Sequence, residues 1–174
     1  MTNPDPYALR PPPGSSPSSP TPSIDQLGGH PFLRGLAPEQ LQVLAANAMP
    51  VEIAAGEVIF RDGDNANRFY LIHEGEVVLE SGDHPERGAN VIETIGGGDV
   101  LGWSWMFPPY YWHFDARATK PTQATFFYGT RLREACETNP QLGYALATRM
   151  AEVVIRRLQA TRLKLVQATS QTDA

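Results

Sequence analysis

The residues able to do chemistry are few and scattered. His30, His73, His84 and His113 do not fall at the i, i+4 spacing that brings two imidazoles to one metal on a helix. Cys136 is the only cysteine, which excludes an internal disulfide and any multi-cysteine metal site. A lone helical cysteine reads as a small hydrophobe. No Ser, His and acid set and no paired acids stand out. The run Gly96, Gly97, Gly98, Asp99 is glycine-rich, but no Lys-Ser/Thr follows it as in a phosphate-binding loop. The chain therefore reads as a non-enzyme without a metal centre. His73 fits a partly buried, hydrogen-bonded strand residue. His113 lies among aromatic residues, where it can contact a ligand or cap Asp115.

One stretch is dense in a different kind of chemistry. Trp103, Trp105, Phe107, Tyr110, Tyr111, Trp112 and Phe114 fall close together. Such rings can stack a base, an adenine or a nicotinamide. They can instead fill a cavity, or form an exposed docking patch, since Trp and Tyr are enriched at interface hot spots. Filling and docking are placed ahead of ligand stacking. Pro108 and Pro109 stiffen the stretch, which suits a preformed surface.

Elements must hold these residues in place. The chain has 174 residues, enough for one domain of ordinary size, with 41% hydrophobic residues and a net charge of −5. That charge argues against generic nucleic-acid binding. No apolar run approaches the ~20 residues that span a bilayer, and no secretory signal is visible, so the expected compartment is the cytoplasm. Residues 1–23 are rich in Pro and Ser and are expected to be a disordered leader. The ordered domain is expected over 24–168, with a short tail at 169–174. Pro38 opens a predicted helix carrying Leu41, Leu44 and Ala48, and the apolar patch Phe32, Leu33, Leu36 suggests a second short helix joined to it at Gly35. From Val51 the pattern changes to short β-branched and aromatic runs, with turns expected at Gly56, Gly63, Gly75, Gly82, Gly88 and the triplet 96–98. Many short strands with glycine turns predict a sandwich or barrel. From Arg131 the pattern is helical almost to the end, restarting at Asn139 and Pro140.

Four segments taken in order carry a resemblance: HPFLRGLAPEQLQVLAANA, AAGEVIFRDGD, FYLIHEGEVVL and IGGGDVLG. Together they resemble the cyclic nucleotide-binding domain of the catabolite-activator and Fnr superfamily, over about residues 30–165. The resemblance implies a mainly β fold: a jelly roll with N-terminal helices and a long C-terminal dimerisation helix. It also implies a cassette in which a short helix N-terminus meets a cyclic phosphate, a glutamate takes the ribose hydroxyl and an arginine pairs with the phosphate. The cassette residues here are Gly97, Gly98, Leu101, Gly102, Trp103, Ser104, Phe114, Asp115, Ala116 and Arg117. Matching Gly102 to the family glycine puts Trp103 in place of the glutamate. Matching Ala116 to the family alanine puts Phe114 in place of the arginine, and Asp115 in place of the small hydroxyl residue. Arg117 has the opposite strand parity and is expected to point away from the pocket. Trp105 and Trp112 are expected to be the exposed members of the aromatic stretch.

In the resembling transcription factors the C-terminal helix forms a dimer seam. Leu142, Leu146, Met150, Val153, Val154, Leu158 and Leu165 form an apolar stripe here, so a homodimer through residues 140–167 is expected. No recognition helix follows before Ala174, so Arg149, Arg156, Arg157, Arg162 and Lys164 read as a solvated or protein-docking face. The expected function is a non-catalytic regulatory or accessory module with an altered cassette. It would dock on a larger protein complex, of the NAD-reducing hydrogenase type by likeness of architecture, with no nucleic-acid or membrane partner. Docking through residues 1–23, with Tyr7 and Leu9 as anchors, is part of that expectation. No cofactor is certain; the ligand class in view is a nucleotide, cyclic or nicotinamide. The alternative is a true cAMP or cGMP sensor.

Overall fold

A computed structural model describes residues 21–84 and 88–172, so most of the predicted leader lies outside the described residues, as does the end of the tail. The chain divides into two compact units, residues 1–135 and 136–174.

The first unit opens with α1 (Ile24–Gly29) and α2 (Pro38–Ala45). Ser23 starts α1 because its hydroxyl accepts from the Gln26 amide while the Gln26 side chain accepts from the Ser23 amide. Pro38 starts α2 as expected. The patch ahead of Gly35 is not a helix, however. Residues 31–35 form turns in which the His30 carbonyl accepts from both Leu33 and Arg34, and Gly35 ends them at φ 81°. A left-handed glycine terminates the winding before a helix can grow.

Eight strands follow: β1 (Met49–Ile53), β2 (Val58–Phe60), β3 (Arg68–Glu74), β4 (Glu76–His84), β5 (Gly88–Gly96), β6 (Val100–Leu101), β7 (Asp115–Ala118) and β8 (Thr122–Tyr128). They form two antiparallel four-stranded sheets, ordered β1-β8-β3-β6 and β2-β7-β4-β5. This is the jelly roll the sequence implied. Gly56, Gly63 and Gly75 all have positive φ at turns, as expected. Gly75 has no room for a side chain either, since a Cβ there would meet the Pro121 carbonyl at 2.5 Å. Gly82 is not a turn residue; it lies within β4.

The interior is built from both sheets, including Ile53, Tyr70, Ile72, Val77, Leu79, Ile95, Leu101, Ala116 and Phe126. Strand β3 is buried on both faces. Tyr70 and Ile72 face this interior, while Phe69, on the other face, has Phe32, Trp105 and Phe127 as ring neighbours. That is why residues 69–72 read as a continuous apolar run. The α1–α2 segment is tied to β3 by His30. Its Nε2 donates to the Ile72 carbonyl at 3.1 Å, and its Nδ1 accepts from the Phe32 amide at 3.2 Å. These two contacts require the neutral Nε2–H tautomer. His73 meets His30 edge-on at 5.5 Å and pairs with the Thr125 hydroxyl at 2.8 Å.

Helix α3 (Gly129–Thr138) leads into α4 (Pro140–Thr172), which the Asn139 side chain caps by accepting from the Leu142 amide at 3.1 Å. The predicted stripe of α4 splits in two. Leu142, Leu146, Met150 and Val153 are buried in the single chain, whereas Leu158 and Leu165 are exposed along with Tyr144 and Ile155. At 100° per residue Tyr144 and Ile155 lie on the side of the helix opposite the buried four, while Leu158 and Leu165 lie between the two sides, nearer to Met150. Cys136 is half-buried, and burial pushes its thiol pKa up. No described helix is long and apolar enough to cross a membrane.

Candidate functional site

The glycine triplet lies against β3. Gly98 donates to the Ile72 carbonyl at 2.8 Å, and Ile72 donates to the Asp99 carbonyl at 3.0 Å. A Cβ on Gly97 would stand 2.7 Å from the His73 carbonyl oxygen, so these glycines serve close backbone packing. Strand β6 then pairs with β3, Leu101 opposite Tyr70, and Leu101 joins the interior. Gly102 follows at φ 88° and begins a single 3-10 turn, Trp103–Met106. Ser104 is buried within it.

The aromatic stretch returns alongside residues 63–66. Gly63 donates to the Trp112 carbonyl, Trp112 to Asp64 and Ala66 to Tyr110, a short antiparallel zipper. The Pro108–Pro109 bond is cis. Arg133 of α3 holds the loop from the other side: its guanidinium lies 4.3 Å above the Tyr110 ring, and it donates to the Trp105 carbonyl.

Side-chain placement corrects two expectations. Trp105 and Trp112 are not the exposed rings; they are buried, at 1% and 4%. Trp105 sits on Phe69, and its Cβ comes so near Gly129 that a side chain there would stand only 3.1 Å away. Trp112 stacks on Phe60 at 3.9 Å. Phe107 and Tyr111 are the exposed pair, and Trp103 is half-buried, with Phe107 and His113 as ring neighbours. From Val100 to Phe114 the chain carries no formal charge.

Trp112, expected at the surface, is the ring that the sequence reading placed on the wrong side. Its ring reaches Gly102: a Cβ there would meet two Trp112 ring carbons at 2.7 and 3.0 Å. The indole therefore packs against the residue that caps the turn. Strand parity was the available signal, because Trp112 shares it with Phe114, Ala116 and Ala118, of which Ala116 and Ala118 are in the interior and Phe114 packs against it.

The polar residues of the set face elsewhere. Arg117 is paired with Glu80 through two hydrogen bonds, from Nε at 3.2 Å and from Nη2. It lies on the face of β7 away from Ala116 and Ala118, as its parity implied. Asp115 accepts from the Asp62 amide at 2.7 Å and lies 3.6 Å from Arg61. The structure thus brings Leu101, Phe114 and Ala116 together at the interior, with Trp112 against Gly102. Trp103, Asp115 and Arg117 have other neighbours. Among the described residues no cluster of His, Cys, Asp or Glu could hold a metal ion.

Comparison with known proteins agrees with this architecture. The family model of the cyclic nucleotide-binding domain matches residues 50–139. A solved protein from Geobacter metallireducens, described as a cyclic nucleotide-binding protein, is 32% identical, with a TM-score of 0.71, covering 78% of this chain and 98% of its own. A CRP-like cAMP-activated global transcriptional regulator of Mycobacterium tuberculosis is 24% identical over 134 residues, 77% of this chain. The match spans only 58% of that regulator's length. A cAMP-dependent protein kinase regulatory subunit of Schizosaccharomyces pombe is 35% identical over 72 residues, 41% of this chain and 16% of its own. With more than half of its length under the family model, and with the two-sheet jelly roll described above, this chain belongs to the cyclic nucleotide-binding domain family.

Proposed function

We propose that this chain is a non-catalytic regulatory module whose cyclic nucleotide cassette is altered, so that it binds cAMP and cGMP weakly or not at all. The observation that carries this reading is Trp112 over Gly102, with Arg117 committed to Glu80 on the outer face. An indole offers no charge to a phosphate. A charged hydrogen bond contributes roughly 1.5–3 kcal/mol, so losing two such contacts weakens binding by roughly two to four decades. The regulatory names of the relatives support a module that acts through other proteins, though they give no support to a hydrogenase complex or to a nicotinamide nucleotide. A homodimer through the exposed side of α4, centred on Ile155 and Leu158, and residence in the cytoplasm belong to the same reading.

Calorimetric titration of the full chain with each nucleotide tests it. The expected result is no measurable heat. A micromolar or tighter dissociation constant restores the reading as a cAMP or cGMP sensor, which the family membership itself favours.

A further inference from the structure

His30 stands where three segments meet. It caps α1, it is only 4% exposed, and it opens the turns of residues 31–35. Its Nε2–H donates to the Ile72 carbonyl of β3 at 3.1 Å. The same carbonyl accepts from the Gly98 amide at 2.8 Å, and the Ile72 amide donates to the Asp99 carbonyl. A Cβ on Gly98 would come within 3.3 Å of the Pro31 ring. One backbone oxygen of β3 therefore joins the N-terminal segment to the glycine turn that leads into β6 and Gly102.

The second ring nitrogen fixes the protonation state. Nδ1 accepts from the Phe32 amide at 3.2 Å. A proton there would set one buried N–H against another, and a buried donor without an acceptor is costly. Burial itself disfavours a charge on the ring, and the Ile72 carbonyl favours one. The titratable groups that act on the ring oppose each other: His73 of β3 disfavours the charge and Asp99 of the turn favours it. What the Phe32 contact holds is apolar. The Phe32 ring lies 5.4 Å from Phe69, and Leu33 beside it is 1% exposed. A ring that turns to satisfy a new N–H gives up the Ile72 contact as well, so both ties are lost together.

We propose that His30 is an acid-operated latch: its protonation frees residues 31–35 from β3 and, through the shared Ile72 carbonyl, loosens the Gly97–Asp99 turn ahead of the cassette. The module then responds to acid as well as to any ligand, and this holds whether or not the interior binds a nucleotide. Local opening without global unfolding is the behaviour to look for.

The test is amide hydrogen exchange on the full chain at pH 7.5 and 5.5, corrected for the intrinsic effect of pH on exchange. At pH 5.5 the Phe32, Leu33 and Gly98 amides should lose protection roughly tenfold or more, while β4, β7 and β8 keep theirs. His30→Gln can still donate to Ile72 and accept from Phe32 but does not titrate near neutral pH, so its protection at these amides should be the same at both values. His73→Gln should keep the response. Equal protection at both pH values in the unaltered chain overturns the proposal, and so does a loss spread evenly over all strands. A response that survives His30→Gln, or disappears in His73→Gln, overturns it as well.

Discussion

The Trp112 indole lies 3.9 Å from the Phe60 ring and only 12° from parallel to it, so β2 and the aromatic loop are joined by a buried stack. Removing the ring leaves a cavity beneath Gly102. Trp112→Ala is expected to cost about 3–5 kcal/mol. At ~2–4 °C per kcal/mol for a chain of this size, calorimetry should show a fall in Tm on the order of ten degrees. A change of only a degree or two would mean that the ring is not packed as described.

Gly102 has two separate reasons to be glycine, and they can be separated. Gly102→Ala meets both the left-handed backbone, about 1–2 kcal/mol, and the clash with Trp112. In the Trp112→Ala background the ring clash is gone, and only the left-handed backbone and the 3.2 Å approach to the Arg68 carbonyl remain. The double variant should therefore be more stable than the sum of the two single changes implies, read from urea midpoints. Simple additivity would contradict the contact.

Helix α4 separates folding from association. Ile155→Glu with Leu158→Glu, at positions 54% and 49% exposed, should give a monomer by light scattering that still unfolds in one cooperative transition. Leu146→Glu, at a 1% exposed position, should instead lose the cooperative transition. A monomeric unaltered chain would sink the dimer.

The two histidines set a pH window. Burial lowers the pKa of both His30 and His73 below 6.5, with Asp99 acting against the shift at His30. The unfolded chain therefore takes up protons first. Stability is complete above pH 6.5 and falls as pH drops through and below that value. The structural reason is specific: a proton on His30 Nδ1 removes the acceptor for the Phe32 amide. Glu76, held low by Thr119 and Lys120, stays ionised through this window. Urea midpoints at pH 7.5 and 5.5 should differ in the unaltered chain and differ less in His30→Gln. Equal midpoints in the unaltered chain would refute this.

Arg117 gives a discriminating negative. If its pairing with Glu80 is its role, Arg117→Gln should lower stability, because Glu80, whose side chain is only 10% exposed, loses the guanidinium that pairs with it. It should leave nucleotide titrations unchanged. Nucleotide heat that the unaltered chain gives and this substitution abolishes would place the guanidinium in a binding site.

Much of this was readable from local pattern. Gly56, Gly63 and Gly75 punctuate strands because each needs positive φ, and such residues are visible one at a time. The outward turn of Arg117 followed from strand parity alone. The same parity puts Trp112 on the side of Phe114 and Ala116, which a count of the rings does not reveal. The burial of Trp105 had no local signal: it depends on Phe69 and on the bare Gly129, far along the chain. His30 was equally silent, because its partner is the backbone of Ile72. On α4, periodicity found the apolar positions but joined the buried Leu142, Leu146, Met150 and Val153 to the exposed Leu158 and Leu165, since exposure is a property of the folded chain.

The uncharged run between Asp99 and Asp115 has a consequence for how this protein's contacts can be told apart. Ionic strength screens charges and leaves apolar surface nearly untouched, with a Debye length of about 8 Å at physiological salt. Anything held by the aromatic loop should stay bound in molar salt. Helix α4, with Arg149, Arg156, Arg157, Arg162 and Lys164 along it, has no such immunity. A salt gradient is thus a sorting device for the two surfaces, releasing what the helix holds through charge while the loop keeps its own.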